Sequence, residues 1–266
     1  MSILKCPVCG LGLTVENRAL RCGGNHCFDI AKEGYVNLLS GSRAGDKTGD
    51  NKEMARSRRD FLNKGFYAPI AGAVCSLVEK YSDEGDSVLD ICCGEGYYTD
   101  FLTKRLNRDF FGFDLSKSMV RLAAKRKCPA RFFVANISSV PVRSGSVRAA
   151  FHLFAPFRAD EFSRIISGDG VIITAVPGAR HLYGLKKVLY DSPYLNDEKP
   201  PETDGLRLLE EVRVERTLTF GDRDDILSLF RMTPYYYHTP SRGMARLEAL
   251  ESLTAEIDVL LQVYAK

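Results

Sequence analysis

From residue 87 onward, short apolar runs alternate with longer stretches of mixed polarity. SVLDI (87–91), FFGFD (110–114), RFFVA (131–135), VRAAFHLF (147–154) and GVIITAV (170–176) have the length and the β-branched or aromatic content of buried strands. Between them the pattern predicts helices near 97–106, from a Ser116 cap to about 127, and over 159–166. Strands that alternate with helices imply right-handed crossovers and a mostly parallel sheet covered on both faces. Beyond His181, LYGLKKVLY reads as a helix, residues 191–205 as a Pro- and acid-rich linker, and 206–220 as a strand by its alternation. DDILSLFRM reads as a helix stopped at Thr233-Pro234, and AEIDVLLQVYA as a last strand. Upstream, residues 53–80 carry a helical pattern, residues 40–52 read as a polar loop, and residues 1–35 are short, Cys-rich and Gly-rich.

Composition changes this picture little. The 266 residues are 45% apolar and 27% charged, ordinary for a globular chain with a sizeable core. No run of about 18 apolar residues is present, so no transmembrane helix is expected, and the first residues lack the apolar stretch of a secretory signal. Charge is uneven. Residues 1–69 hold 11 Lys/Arg against 7 Asp/Glu, and the remainder holds 26 against 27, so a polyanion contact is expected in the N-terminal part. Four of the eight cysteines fall within the first 27 residues and the others are scattered, which is no secreted disulfide scaffold and points to a reducing, cytoplasmic setting.

The first chemical signal is Cys6-x2-Cys9 followed, twelve residues later, by Cys22-x3-His26. Two short turns that each aim a pair of ligands at one ion complete a tetrahedron, and four protein ligands leave no position for chemistry. One structural zinc is therefore expected. His26 and Cys27 are neighbours of which one can face the ion; His26 is favoured. A segment of this size buries too little surface to fold without the metal.

The second signal is Asp90-Ile91-Cys92-Cys93-Gly94-Glu95-Gly96, which follows a strand and opens a helix. Gly94 and Gly96 allow a backbone turn to approach a ligand. Asp114 ends the next strand, where an acid can accept from both hydroxyls of a ribose. Asp90, ahead of the turn, suits a cationic amino acid head better than a pyrophosphate, and the turn lacks the full Gly-x-Gly-x-x-Gly of a dinucleotide site.

VLDICCGEGYYT resembles the first motif of class I S-adenosylmethionine methyltransferases, and FGFDLSK resembles their second. Taken with CPVCG, CGGNHCFDIAKEGYVNLL, ARSRRDFLNKGFYAPI, APFRADEFSRI, TAVPGARHLYGLKKVLY and RMTPYYYHTP, in that order along nearly the whole chain, the sequence is similar to the 23S ribosomal RNA guanine-N1 methyltransferases. The resemblance implies an α/β, Rossmann-like class I methyltransferase sheet whose last strand is antiparallel. The expected divisions are a zinc-binding module over 1–36, a linker and helical segment over 37–80, and a methyltransferase domain over 81–266. It implies zinc on Cys6, Cys9, Cys22 and His26. It implies S-adenosylmethionine contacts by Tyr67, the Glu95-Gly96 turn and His181, with Asp114 on the ribose and Asn136 near the adenine. The acceptor would be a guanine in a 23S ribosomal RNA hairpin, and members are expected to be homodimers. Cys92 departs from the pattern, since the class has Gly there.

N1 of guanine carries a proton at neutral pH, and His152 and Asp191 are the candidate bases. Phe157, in Ala155-Pro156-Phe157, is a candidate to stack on a flipped guanine. Arg56, Arg58 and Arg59 form a basic cluster that either contacts phosphates or is a solvated helix face. Tyr235, Tyr236 and Tyr237 are either a stacking platform or core. The rival functions are a methyltransferase for a small molecule and a zinc-dependent RNA-binding protein with an inactive fold.

Overall fold

A computed structural model of the chain describes residues 3–39, 52–199 and 201–266. The loop expected over 40–52 lies outside the described residues except for Lys52. The N-terminal module is a three-stranded antiparallel sheet of β1 (Thr14–Glu16), β2 (Ala19–Arg21) and β3 (Cys27–Asp29). The rest is built on one eight-stranded sheet. Its strands are β4 (Val36–Asn37), β5 (Ser87–Ile91), β6 (Asp109–Asp114), β7 (Ala130–Val134), β8 (Val147–Leu153), β9 (Ile166–Pro177), β10 (Arg207–Phe220) and β11 (Leu253–Ala265), in the order β10-β11-β9-β8-β5-β6-β7-β4. Pairs from β4 to β9 are parallel, and β11 runs antiparallel to both β9 and β10. The sheet reverses direction of growth at β5, and the ends of β5 and β8 flank that switch point, where open α/β sheets place their ligands.

The apolar runs read as strands because both faces of the sheet are covered. Along β5, Val88 joins one core while Leu89 and Ile91 join the other. The first face is covered by α2 (Ala68–Tyr81), α3 (Tyr97–Thr103), α6 (Tyr183–Leu189), α7 (Arg223–Arg231) and part of α8 (Ser241–Glu248). The second is covered by α5 (Ala159–Ile165) and by the N-terminal module, whose Ile3, Leu4, Leu13 and Leu20 share a core with Phe113, Phe133 and Phe162. Backbone bonds Lys5 N to Pro141 O and Arg143 N to Ile3 O, both 2.9 Å, seat the module. α4 (Lys117–Ala124) is capped by Ser116, whose hydroxyl accepts from Met119 N, as the sequence predicts.

Two features depart from the sequence expectation. The helical pattern over 53–80 is two helices, α1 (Lys52–Asn63) and α2, bent by 77° at Gly65, which sits at φ +81°. The segment expected as a linker over 37–80 begins inside β4, which pairs with β7 at the sheet edge. Residues 234–237, beyond the helix stop expected at Thr233-Pro234, form a 3-10 turn. No single described helix is long and apolar enough to cross a membrane.

Candidate functional site

Sγ of Cys6, Cys9 and Cys22 and a ring nitrogen of His26 all lie within 4.8 Å of one another. Cys9 Sγ is 3.6 Å from Cys22 Sγ, which is 3.4 Å from His26 Nδ1. Desolvation opposes ionisation of Cys22, but hydrogen bonding by the backbone and side chain of His26 draws the thiol down to about 6, toward the thiolate that binds metal. Cys27 opens β3, exposed and outside the cluster. The three thiols and one imidazole fit one tetrahedral zinc.

At the C-terminal end of β5 lies a cleft lined by Asp90, Cys92, Gly94, Glu95, Asp114 and Tyr67 among others. The turn is shaped by three left-handed residues, Cys92 (φ +59°), Gly94 (φ +54°) and Gly96 (φ +82°). Asp114 Oδ2 accepts from Gly94 N at 3.0 Å and Oδ1 from Ser116 N at 2.8 Å, so the acid that ends β6 also ties down the turn. Asp90 is 3% exposed and accepts from Thr99 Oγ1 at 2.5 Å; burial raises its carboxyl well above the ordinary range. Glu95 is 1% exposed, its Oε2 accepts from Arg126 Nε at 2.9 Å, and its Oε1 is buried with no partner among the described residues. A buried, unpaired acceptor in the cleft wall fits the ammonium group of S-adenosylmethionine.

A second cavity of about 460 Å³ adjoins the first. Arg58, Tyr67, Phe154, Ala155 and Met232 line both. Its other walls are the ends of β8 and β9, His181, Leu182 and Thr233 to Tyr235. Phe154, 38% exposed and left-handed at φ +55°, stacks on His181 with ring centres 5.8 Å apart and planes inclined by 20°. Bulky residues occupy this conformation rarely and at a cost of about 1–2 kcal/mol. Phe154 carried no signal in the sequence, because only its backbone angle separates it from a strand-end core residue.

Several expected site residues stand elsewhere. Gly96 does not line the cleft; it is the N-cap of α3, and a Cβ there would come within 2.8 Å of Ala123 Cβ, so its role is close helix packing. Asn136 is exposed in a turn after β7, where its Oδ1 accepts from Ser138 N, outside both cavities. His152 points to the opposite face of the sheet, beside Phe157 and Phe162; burial lowers it to about 4, but it cannot reach the cleft. Phe157 packs on Phe162 and Tyr264 in that same core, and the aromatic residue that lines the cavities is Phe154. Asp191 is exposed, paired with Arg246 and Arg242, and lines neither cavity. The three arginines do not form one cluster, because residues two apart on a helix face opposite ways. Arg58 turns into the cavities and donates to Met232 O at 3.1 Å, Arg56 is exposed beside Asp60, and Arg59 joins Lys104, Lys125 and Lys127 at a surface hollow. Of the tyrosines, Tyr235 lines the second cavity, Tyr236 packs on Phe230 and Tyr237 is exposed.

Residues 4–42 match the family described as RlmA, N-terminal, a zinc ribbon, and residues 88–167 match the family described as methyltransferase domain. A Micromonospora griseorubida protein named "Putative 23S rRNA (guanine-N(1)-)-methyltransferase" is 30% identical over 98% of this chain and 96% of its own length. A Streptomyces fradiae protein named "23S rRNA (guanine(748)-N(1))-methyltransferase" is 28% identical over 96% of this chain and 94% of its own. Among solved structures, the YcgJ protein of Bacillus subtilis covers 74% of this chain and 97% of its own at 14% identity and a TM-score of 0.47.

Proposed function

The chain belongs to the 23S rRNA (guanine-N1-)-methyltransferase family, and from that premise we propose that it transfers a methyl group from S-adenosylmethionine to N1 of a guanine in a hairpin of 23S ribosomal RNA. The observation that carries the reading is the meeting of two cavities at Tyr67 and Phe154, one shaped by the acidic turn after β5 and the other by aromatic side chains at the ends of β8 and β9.

When bound, S-adenosylmethionine would supply an electrophilic methyl group on a sulfonium, and the proton that N1 gives up as the N–C bond forms passes to solvent. Asp114 would hold the ribose hydroxyls, while Asp90 and the unpaired Oε1 of Glu95 would hold the ammonium group. The Watson–Crick edge of a paired guanine is hidden, so the base must be unpaired or flipped to enter. Phe154 offers one aromatic face to such a base while His181 supports the other. Tyr67, buried between the cavities, excludes water from the line along which the methyl group must travel. The N-terminal module, Arg56 and Arg59 would take RNA phosphates, which position the hairpin without reading it. The zinc supplies rigidity rather than chemistry. A cytoplasmic homodimer, as the resemblance implies, completes the reading, and light scattering of the purified protein checks the dimer.

The reading is tested by incubating the protein with 23S hairpin transcripts and methyl-labelled S-adenosylmethionine, then separating nucleosides by mass spectrometry. Label in 1-methylguanosine is the expected result. Label in another nucleoside, or none, overturns it.

A further inference from the structure

Lys186, on α6, is 0% exposed, and no carboxylate pairs with it among the described residues. Burying an ammonium group is costly unless its hydrogens are placed, and burial draws this one below the ordinary lysine range. Its Nζ donates to Asn196 Oδ1 at 2.6 Å and to Tyr194 O at 3.1 Å, and lies 4.0 Å from the centre of the Tyr194 ring. Both partners belong to residues 190–199, which form neither helix nor strand and so have no backbone ladder to hold them.

Asn196 passes the restraint on. Its Nδ2 donates to Gly178 O at 2.8 Å and to His181 O at 3.2 Å, and its N–H donates to Ala179 O at 2.9 Å. These carbonyls belong to the turn between β9 and α6 that carries His181. The donors of that turn go elsewhere: Gly178 N and Leu182 N donate to Asp258 O and Glu256 O on β11, both at 2.7 Å. Leu182, which ends the turn, is left-handed at φ +56° and caps α6 without a side-chain bond. A turn in that conformation keeps its shape only through bonds from outside. His181 then meets Tyr67, with Nε2 3.3 Å from Oη, and the resemblance places both residues on S-adenosylmethionine. We infer that Lys186 is a positioning residue for the cofactor: through Asn196 it locks residues 194–196 onto the turn and so holds His181 against Tyr67. A methionine of similar length would fill the same space and donate nothing.

The inference rests on the reading of the site as one for S-adenosylmethionine, and the test separates the two. Wild type, Lys186→Met, Lys186→Gln, Asn196→Ala and the Lys186→Met/Asn196→Ala double variant are titrated with S-adenosylmethionine by calorimetry, without RNA. Lys186→Met is expected to weaken cofactor binding by about 5- to 20-fold, the scale of one or two lost hydrogen bonds. Asn196→Ala should do the same, and the double variant should add little to either, since the two side chains act in series. Lys186→Gln keeps an amide donor and should recover most of the affinity. Hydrogen exchange should speed up in residues 178–182 and 194–196 of Lys186→Met while β5, β6 and β8 exchange as in wild type. A merely structural lysine gives a different result: loss of folded protein lowers the number of binding sites and leaves the dissociation constant unchanged. That result overturns the inference, as does full additivity in the double variant. Asn196 is only half-buried, so Asn196→Ala decides the matter if Lys186→Met does not fold, and wild-type affinity in Asn196→Ala overturns the inference. A wild type that binds no S-adenosylmethionine removes the reading of the site and this inference together.

Discussion

Arg126, in the turn after α4, holds Glu95 in the cleft wall: its Nε donates both to Glu95 Oε2 and to Glu95 O at 2.9 Å, and the two side chains are 7% and 1% exposed. The guanidinium also reaches Asp100 and Asn63, so a single cation ties the cofactor turn to α1 and α3. Burial pushes the Glu95 carboxyl up and Arg126 opposes it. Removing one partner leaves an uncompensated buried charge, at about 3–5 kcal/mol. Arg126→Met is therefore expected to lower the unfolding free energy measured by urea denaturation by that margin and to weaken S-adenosylmethionine binding. A variant with wild-type stability and affinity shows that the pair does not organise the turn.

Asp90 sets a pH dependence. Burial raises its carboxyl well above the ordinary range, Thr99 opposes this, and Asp114 adds to it. In the unfolded chain an Asp titrates near about 4. With the folded value the higher, the stabilisation from the protonated form is complete below about pH 4 and is lost as pH rises through the folded value. Without ligand, Asp90→Asn should thus be more stable than wild type at neutral pH, with the difference fading toward pH 4. The cofactor's ammonium group favours the ionised acid, so wild-type affinity should fall on acidification and the Asn variant should be weak at every pH. Denaturation and calorimetry across pH check both; an Asn variant less stable than wild type at pH 7 contradicts the account.

The metal cluster shares its core with the sheet, since Cys6 and Cys22 pack with Phe113, Phe133 and Phe162. Cys22→Ser is expected to lose the zinc and to speed hydrogen exchange in residues 3–39 and in the strands beneath them. Cys27→Ser should keep one zinc per chain, because Cys27 lies outside the cluster. Elemental analysis of these variants and of His26→Ala decides it, and loss of zinc from Cys27→Ser but not from His26→Ala reverses the choice of fourth ligand.

Cys92 occupies a left-handed position at φ +59° where its class has glycine. A Cβ costs about 1–2 kcal/mol in that conformation, and branching at Cβ costs more. Cys92→Gly should be at least as stable as wild type, and Cys92→Val less stable than the Gly variant by about 2 kcal/mol. Equal denaturation midpoints for Gly and Val would show that the turn relaxes away from the left-handed region.

Much of this site is legible in the residues themselves. A strand, a Gly-rich turn and a helix place Asp90 and Gly94, and an acid ending the next strand places Asp114, because both positions follow from local geometry. The zinc ligands are legible for the same reason, being paired in short turns. Arg126 is not, since it lies 31 residues from Glu95 and is brought there by the packing of α4 against β6 and β7. For His152 the reason is that a strand has two faces: the sequence shows its alternation with Phe151 and Leu153 but not which face carries the cleft, and Phe157 lies in the loop beyond β8. Charge alone does not separate Arg58 from Arg56 and Arg59, whereas the turn of α1 sends it inward. β4 and α8 are short, and tertiary packing rather than propensity holds them in place.

Reverse transcription across 23S ribosomal RNA, compared between a strain with the gene and one without it, tests the central claim most directly. A methyl group on N1 blocks Watson–Crick pairing, so the account expects one strong stop beside a hairpin guanine in the parent strain, absent from the deletion strain and restored by the wild-type gene but not by the Asp114→Ala variant. Identical stop patterns in the parent and deletion strains would contradict the assignment.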